Sequence, residues 1–323
     1  MSKQKYTSIG GQALIEGIMM KGPEKTAMAV RRPDGEIEIR YLGFTPLSKK
    51  HKILGLPVIR GVVNYVQAMV EGYKSLMLSA EISGFADDED EKPTSTTMTV
   101  IMTIASVLAV VLSVFLFMYL PALIFDGINY LAAHKITHLA SLFEGLLRLV
   151  ILVCYMLAVS KMPDIKRVFM YHGAEHKTIF CFEAKEELTV ENAKKQRRLH
   201  PRCGTSFLIL MILVSILISS ALSLVFPTLR SIRILWVLIK ILLIPLICGL
   251  GYELIKICGK YDNVITRIIS APGMWLQKIT TQEPDDSMLE IAIAALKAVL
   301  PEGEVIPVSE CECEAENNEG DNE

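Results

Sequence analysis

Residues 171–206 contain the side chains best suited to chemistry. His172, Glu175 and His176 form an H-x-x-E-H pattern within YHGAEHKTIFCFE, and His200 and Cys203 follow within RRLHPRCGTS. On a helix, residues four apart leave the same face one turn from each other. His172 and His176 could therefore present two imidazoles to one transition ion, a ligand type that zinc takes readily. Glu175 is three residues from His172 and adjacent to His176. It would lie beside the ion without ligating it, in position to take a proton from bound water as a general base. Glu183, seven residues beyond His176, returns to the same face. His200 and Cys203 are the natural further ligands. Catalytic zinc keeps three protein ligands and an open position, whereas structural zinc closes with four. One of the two would leave the site open; both would close it. The expected cofactor is zinc or another divalent transition metal. The competing expectation is a set of polar side chains hydrogen-bonded near lipid headgroups.

The elements that would position this stretch are mostly apolar. The 323-residue chain is 51% hydrophobic, with a mean hydropathy of +0.40. This favours a membrane bundle with soluble flanks over two soluble domains. The net charge of −2 gives no reason to expect a nucleic-acid partner. The seven cysteines follow no disulfide spacing, so free thiols in a reducing compartment are expected. The first residues lack the apolar core of a signal peptide.

Taken in order, residues 1–52 read as a small β element. It comprises an apolar run at 13–20 and strands at 26–32 and 36–42 around Pro33-Asp34-Gly35. Ile37, Ile39 and Tyr41 alternate as in a half-buried strand. Glu16 is the one acid in its run and a weak site candidate. Residues 53–96 read as an amphipathic helix over 57–82 followed by an acidic linker. Residues 97–258 contain four expected spans, at 93–125, 136–160, 203–229 and 234–257, with the metal-candidate segment at 161–205. Glu144 and Arg148, four apart, are expected to pair on one helix face. Lys240 and Glu253 are expected to snorkel from span ends. Residues 259–308 read as C-terminal helices, broken at Ala271-Pro272-Gly273 and capped again by Ser287 and Glu290. Asp164 is the expected cap of the helix carrying His172. The acidic tail 309–323, with Cys311 and Cys313, is expected to be disordered. Lys and Arg crowd the first 96 residues and 161–202, whereas the connection between the first two spans carries only Lys135. By the positive-inside rule both termini and the 161–202 segment are cytoplasmic. The fold class expected is a mainly α membrane protein of about four transmembrane helices, with a small N-terminal β element and cytoplasmic helical flanks.

Four separated runs, GGQALIEGIMMKGP, YHGAEHKTIFCFE, HPRCGTSF and APGMWLQKITTQEPDD, resemble the YqhQ-like family of bacterial membrane proteins over about residues 8–300. The resemblance implies a multi-pass protein of the bacterial inner membrane. The family is catalogued as a domain of unknown function and sometimes described as a predicted metal-dependent enzyme. That description would fall on His172, Glu175, His176 and the pair His200 and Cys203. Three function classes stay open at this point: a metal-dependent hydrolase acting near the membrane, a non-enzymatic scaffold or assembly factor, and a small-solute or ion pathway. The lipid bilayer is the expected partner. A second copy of the chain or another membrane protein is compatible with each class.

Overall fold

The computed structural model describes residues 9–44, 47, 53–85, 95–133, 136–201, 203–261 and 263–301. The acidic linker after residue 85 and the acidic tail with Cys311 and Cys313 lie outside these residues.

Four antiparallel strands, β1 (Gly10–Leu14), β2 (Gly17–Lys21), β3 (Thr26–Arg31) and β4 (Ile37–Leu42), form a meander in chain order. The 13–20 run is two strands rather than one. It turns at residues 15 and 16, with Leu14 opposite Gly17 and Glu16 at φ 49°. Strands β2 and β3 are covered on both faces. Ile18, Met20, Ala27 and Ala29 enter one core, and Met19, Met28 and Val30 enter another. Both sets of side chains must be apolar, so hydropathy does not alternate along these strands and the turn between β1 and β2 is hidden. Strand β4 is an edge strand. Ile39 and Tyr41 are exposed rather than half-buried, whereas Ile37 packs on one core and Leu42 on the other.

The helix α1 (Ile59–Ile82) covers one face of the sheet through Leu76, Leu78 and Ile82. The other face packs on α5 (Pro163–Glu183) and on α12 (Asp286–Val299), which comes from the far end of the chain. Between α1 and α5, α2 (Ser95–Val114), a π-helical turn (Phe115–Tyr119) and α3 (Leu120–Leu131) follow in succession. They are followed by α4 (Ala140–Val159). After α5 come α6 (Val190–Lys195), α7 (Gly204–Val225), α8 (Pro227–Ser231), α9 (Arg233–Leu242), α10 (Ile244–Lys260) and α11 (Val264–Thr280).

Among the described residues, three helical segments are long and apolar enough to cross a membrane: Thr103–Leu131, Ala140–Val159 and Gly204–Val225. A fourth exists only if α9 and α10 count as one span bent by 43°. Pro245, in the first turn of α10, has no N–H with which to continue the helical ladder through the bend. Exposed Val107, Leu108, Val111 and Leu112 cover the outside of the first segment, a surface suited to hydrocarbon and unfavourable in water.

The charged residues of this region are arranged differently from expectation. Glu144 ion-pairs with Lys240 at 2.6 Å, both buried, so Lys240 does not snorkel, while Arg148 interacts with Glu144 electrostatically without being its hydrogen-bond partner. Arg148 instead donates to the Phe117 carbonyl at 2.7 Å and to Ser215 Oγ at 3.3 Å. Pro121 lies four residues after Phe117 and has no N–H to offer that carbonyl, so a guanidinium takes the vacant acceptor. Glu253 forms a bidentate pair with Arg60, at 2.7 and 2.5 Å, which ties α10 to α1. These pairings depend on residues 31 to 193 positions apart, a separation that helical periodicity does not register.

Two further local expectations are corrected. The helix α11 runs unbroken through Pro272, and at Gly273 a Cβ would meet the Ser206 backbone at 2.6 Å. The segment is therefore a close helix crossing rather than a break. The cap of α12 is Asp285, which accepts from the Met288 N–H at 2.9 Å. Ser287 donates to Asp285, and Glu290 pairs with Arg31.

Candidate metal centre

The helix α5 begins at Pro163 with Met162 as its N-cap. Asp164 sits in the first turn rather than capping it, where its negative charge suits the positive end of the helix. The helix then runs unbroken through the H-x-x-E-H pattern. Gly173 is unfavourable in a helix by up to about 1 kcal/mol relative to Ala, and the packing explains its presence. A Cβ at this position would meet the Gln282 carbonyl oxygen at 2.0 Å, and the Gln282 N–H donates to the Phe169 carbonyl at 2.8 Å. The chain leaving α11 is thus pressed directly onto α5 beside His172.

This contact orients the first histidine. His172 Nδ1 lies 2.8 Å from the carbonyl of Thr280, the last residue of α11. Carbonyls at a helix end lack intrahelical donors, and a carbonyl can only accept, so Nδ1 carries the proton and Nε2 the lone pair. The same logic holds for His176, whose Nδ1 lies 2.5 Å from the Arg198 carbonyl. Each ring is therefore set with Nε2 as its basic nitrogen. Metal-ligating histidines characteristically donate their other N–H in this way, which fixes both tautomer and orientation.

Cys203 is the N-cap residue of α7. Its Sγ lies 3.0 Å from His172 Nε2 and accepts from Thr205 Oγ1 at 3.3 Å. The ligand atoms of His172, His176 and Cys203 all lie within 4.8 Å of one another. His176 is buried, and His172 and Cys203 are half-buried. The structure thus brings together three of the four residues expected to ligate.

His200 is placed otherwise. Its ring packs against Phe180 and His176, with centroids 4.7 and 5.5 Å away. Its Nε2 is 3.9 Å from Glu183 Oε2, and it is not one of the three clustered ligands. The main chain of His200 is clasped by Gln277, which is fully buried. The Gln277 amide accepts from the His200 N–H at 2.8 Å and donates to the His200 carbonyl at 2.7 Å and to Ser206 Oγ at 3.0 Å. This clasp fixes the short chain segment that carries Cys203 into the site.

Glu175 is buried against β1, where it accepts from the Gly11 N–H. Burial pushes its carboxyl up to about 6, and the neighbouring His172 and the Gly11 hydrogen bond oppose that rise. It lies next to the three ligands without joining them. Glu16, the weak sequence candidate, ion-pairs with Arg167 and accepts from the Tyr171 hydroxyl at 3.1 Å, which latches the β1–β2 turn onto α5. Lys177, nearly fully buried, reaches the Lys194 carbonyl at 2.8 Å and ion-pairs with Glu283. Cys181, the one cysteine on α5, is buried and is not one of the clustered ligands, and burial pushes its thiol up to about 11. The residues that sequence reasoning missed are Thr280, Arg198, Gln277 and Gln282. Three of them act wholly or partly through main-chain carbonyls, which leave no mark on residue type. The one sequence signal was Gly173, an otherwise unfavourable helix residue.

The comparisons with known proteins bear on this geometry. No solved structure matches the chain. It is 34% identical over 316 residues to the uncharacterized protein YqhQ of Bacillus subtilis (strain 168), covering 93% of this chain and 95% of that one. A family model matches residues 56–302, a range that includes the three clustered ligands and both carbonyls that orient the histidines. With most of its length and the whole candidate centre inside that match, the chain belongs to the family described as "Protein of unknown function (DUF1385)".

Proposed function

We propose that this protein is a multi-pass membrane protein that holds a divalent transition metal, with zinc the best fit, through His172, His176 and Cys203 on the cytoplasmic side. One observation carries the reading. Two imidazoles, each with Nδ1–H committed to a backbone carbonyl, cluster with a cysteine sulfur so that the ligand atoms lie within 4.8 Å. Three electron-pair donors gathered this closely are short of a cation, and nitrogen with sulfur is a donor set that zinc prefers. The concentration of Lys and Arg in 161–202 supports a cytoplasmic site.

Three protein ligands leave one tetrahedral position for a non-protein ligand, the pattern of catalytic rather than structural zinc. A metal bound there would supply Lewis-acid polarisation of an oxygen ligand. Glu175, with a carboxyl near 6, is ionised at neutral pH and suited to accept a proton. The reading is accordingly a metal-dependent hydrolase whose substrate lies near the membrane surface. The alternative, a structural clasp in a non-enzymatic scaffold, is favoured by one fact: the three ligands and their orienting carbonyls come from α5, the 198–203 segment and the end of α11.

Metal analysis of the purified full-length protein tests the proposal. About one equivalent of transition metal per chain is expected, falling well below that in His172→Ala and Cys203→Ser and retained in His200→Ala and Glu175→Gln. Wild-type protein that stays metal-poor after growth with added zinc would remove the proposal. If metal is retained, loss of cellular function in Glu175→Gln identifies catalysis, and full function in Glu175→Gln identifies the clasp.

A further inference from the structure

A second site, separate from the metal ligands, lies on the opposite side of α11. A half-open cavity of about 610 Å³ is bordered by α11, the end of α10 and residues 197–201. Its lining includes the cations Arg197, Arg267 and Lys278 together with Tyr261, Met274 and Trp275, and among the described residues it contains no Asp or Glu. The Arg197 guanidinium is held 4.4 Å above the Phe180 ring. The positions 267, 271, 274 and 278 recur at helical spacing, so one face of α11 forms the cavity wall.

A neighbouring face of α11 is apolar and bare. Val264, Ile265, Ile268 and Trp275 are each at least 66% exposed, whereas Leu276 and Ile279 on its inner side pack with Leu152 of α4 and Ile209 of α7. The helix therefore lies against two of the apolar segments with its outer side uncovered. A small soluble anion would use the cations and leave the apolar stripe unexplained. A molecule with both a phosphate and acyl chains would use both.

We propose that this cavity binds the headgroup of an anionic phospholipid, with the acyl chains against the exposed stripe of α11. The inference rests on the membrane reading above and is independent of whether metal binds. Each cation near an anionic lipid contributes a preference of about fivefold.

Trp275 is a built-in reporter, since the chain has only two tryptophans and Trp236 is buried. The full-length protein is reconstituted into phosphatidylcholine vesicles containing the same mole fraction of either brominated phosphatidylglycerol or brominated phosphatidylcholine. Trp275→Phe provides the Trp236 background. The expected result is stronger quenching of Trp275 by the anionic lipid, corresponding to at least about a fivefold local enrichment, with Lys278→Gln lowering the enrichment by about fivefold. Equal quenching by both lipids overturns the proposal while leaving the membrane reading intact. No quenching by either lipid overturns both. Loss of the anionic preference on adding millimolar inorganic phosphate, at constant ionic strength, would make this a phosphate-ion site and overturn the lipid assignment.

Discussion

Two parts of this molecule place polar groups among apolar ones, and they satisfy them in opposite ways. Within the apolar segments, Glu144 meets Lys240 and Arg148 meets the Phe117 carbonyl. Each charge there finds a group of complementary character. In the candidate centre, two imidazole nitrogens and a sulfur face one another. All three are electron-pair donors, and without a cation only the thiol proton can bridge any two of them. The first arrangement is complete within the protein; the second, on the proposed reading, is completed by a metal ion. Residue type alone does not separate these cases, because both appear in the sequence as ionisable residues in or between apolar runs.

The comparison makes predictions that can be ranked by size. Lys240→Ala strands a buried carboxylate and is expected to destabilise the protein by about 3–5 kcal/mol, with most of the loss recovered in a Glu144→Leu, Lys240→Met double variant. Reversible unfolding in detergent measures both. Equal destabilisation by the single and double variants would show that the pair is not self-contained.

The next effect concerns Glu175. Its folded carboxyl is near 6, above the ordinary 4.5, so the folded chain holds this proton more tightly than the unfolded chain does. The contribution to stability is full below 4.5 and is lost as pH rises through 6, amounting to about 2 kcal/mol. Chelator-treated wild type should therefore lose about that much relative to Glu175→Gln across this window. Parallel pH profiles for the two proteins would refute the buried-carboxyl assignment.

The smallest effect should be Cys203→Ser in chelator-treated protein, costing about 1 kcal/mol, the scale of one hydrogen bond. A cost comparable with that of Lys240→Ala would mean that the cluster is already complete without a cation, and the contrast between the two regions would collapse.

Much of the framework could be read from residue order. Helical spacing located His172, Glu175 and His176 on one element, and apolar runs, two of them uncharged, located the three apolar segments. What escaped were features set by distant backbone. The β1–β2 turn is invisible because both faces of the sheet are covered. The pairing of Glu144 with Lys240 spans 96 residues, and a spacing of four suggested Arg148 instead. The tautomers of His172 and His176 are fixed by carbonyls of Thr280 and Arg198, and every residue possesses a carbonyl. Gly173 stood out as a poor helix former, but the Gln282 backbone that requires it lies on another element.

The packing of α12 and α11 has a consequence for biogenesis. The sheet precedes every apolar helix in the chain and closes one core against α1, but its other core closes only against α5 and α12, and α12 follows all of the apolar helices. The Thr280 carbonyl that sets His172 belongs to α11, just before it. While the ribosome is still translating the apolar helices between them, the His172–His176 pair exists without its orienting acceptor or its core. The arrangement that would hold the proposed metal is thus assembled only after the apolar helices between α5 and α11 have been made. A chain truncated before residue 280 would carry every proposed ligand and still lack the centre.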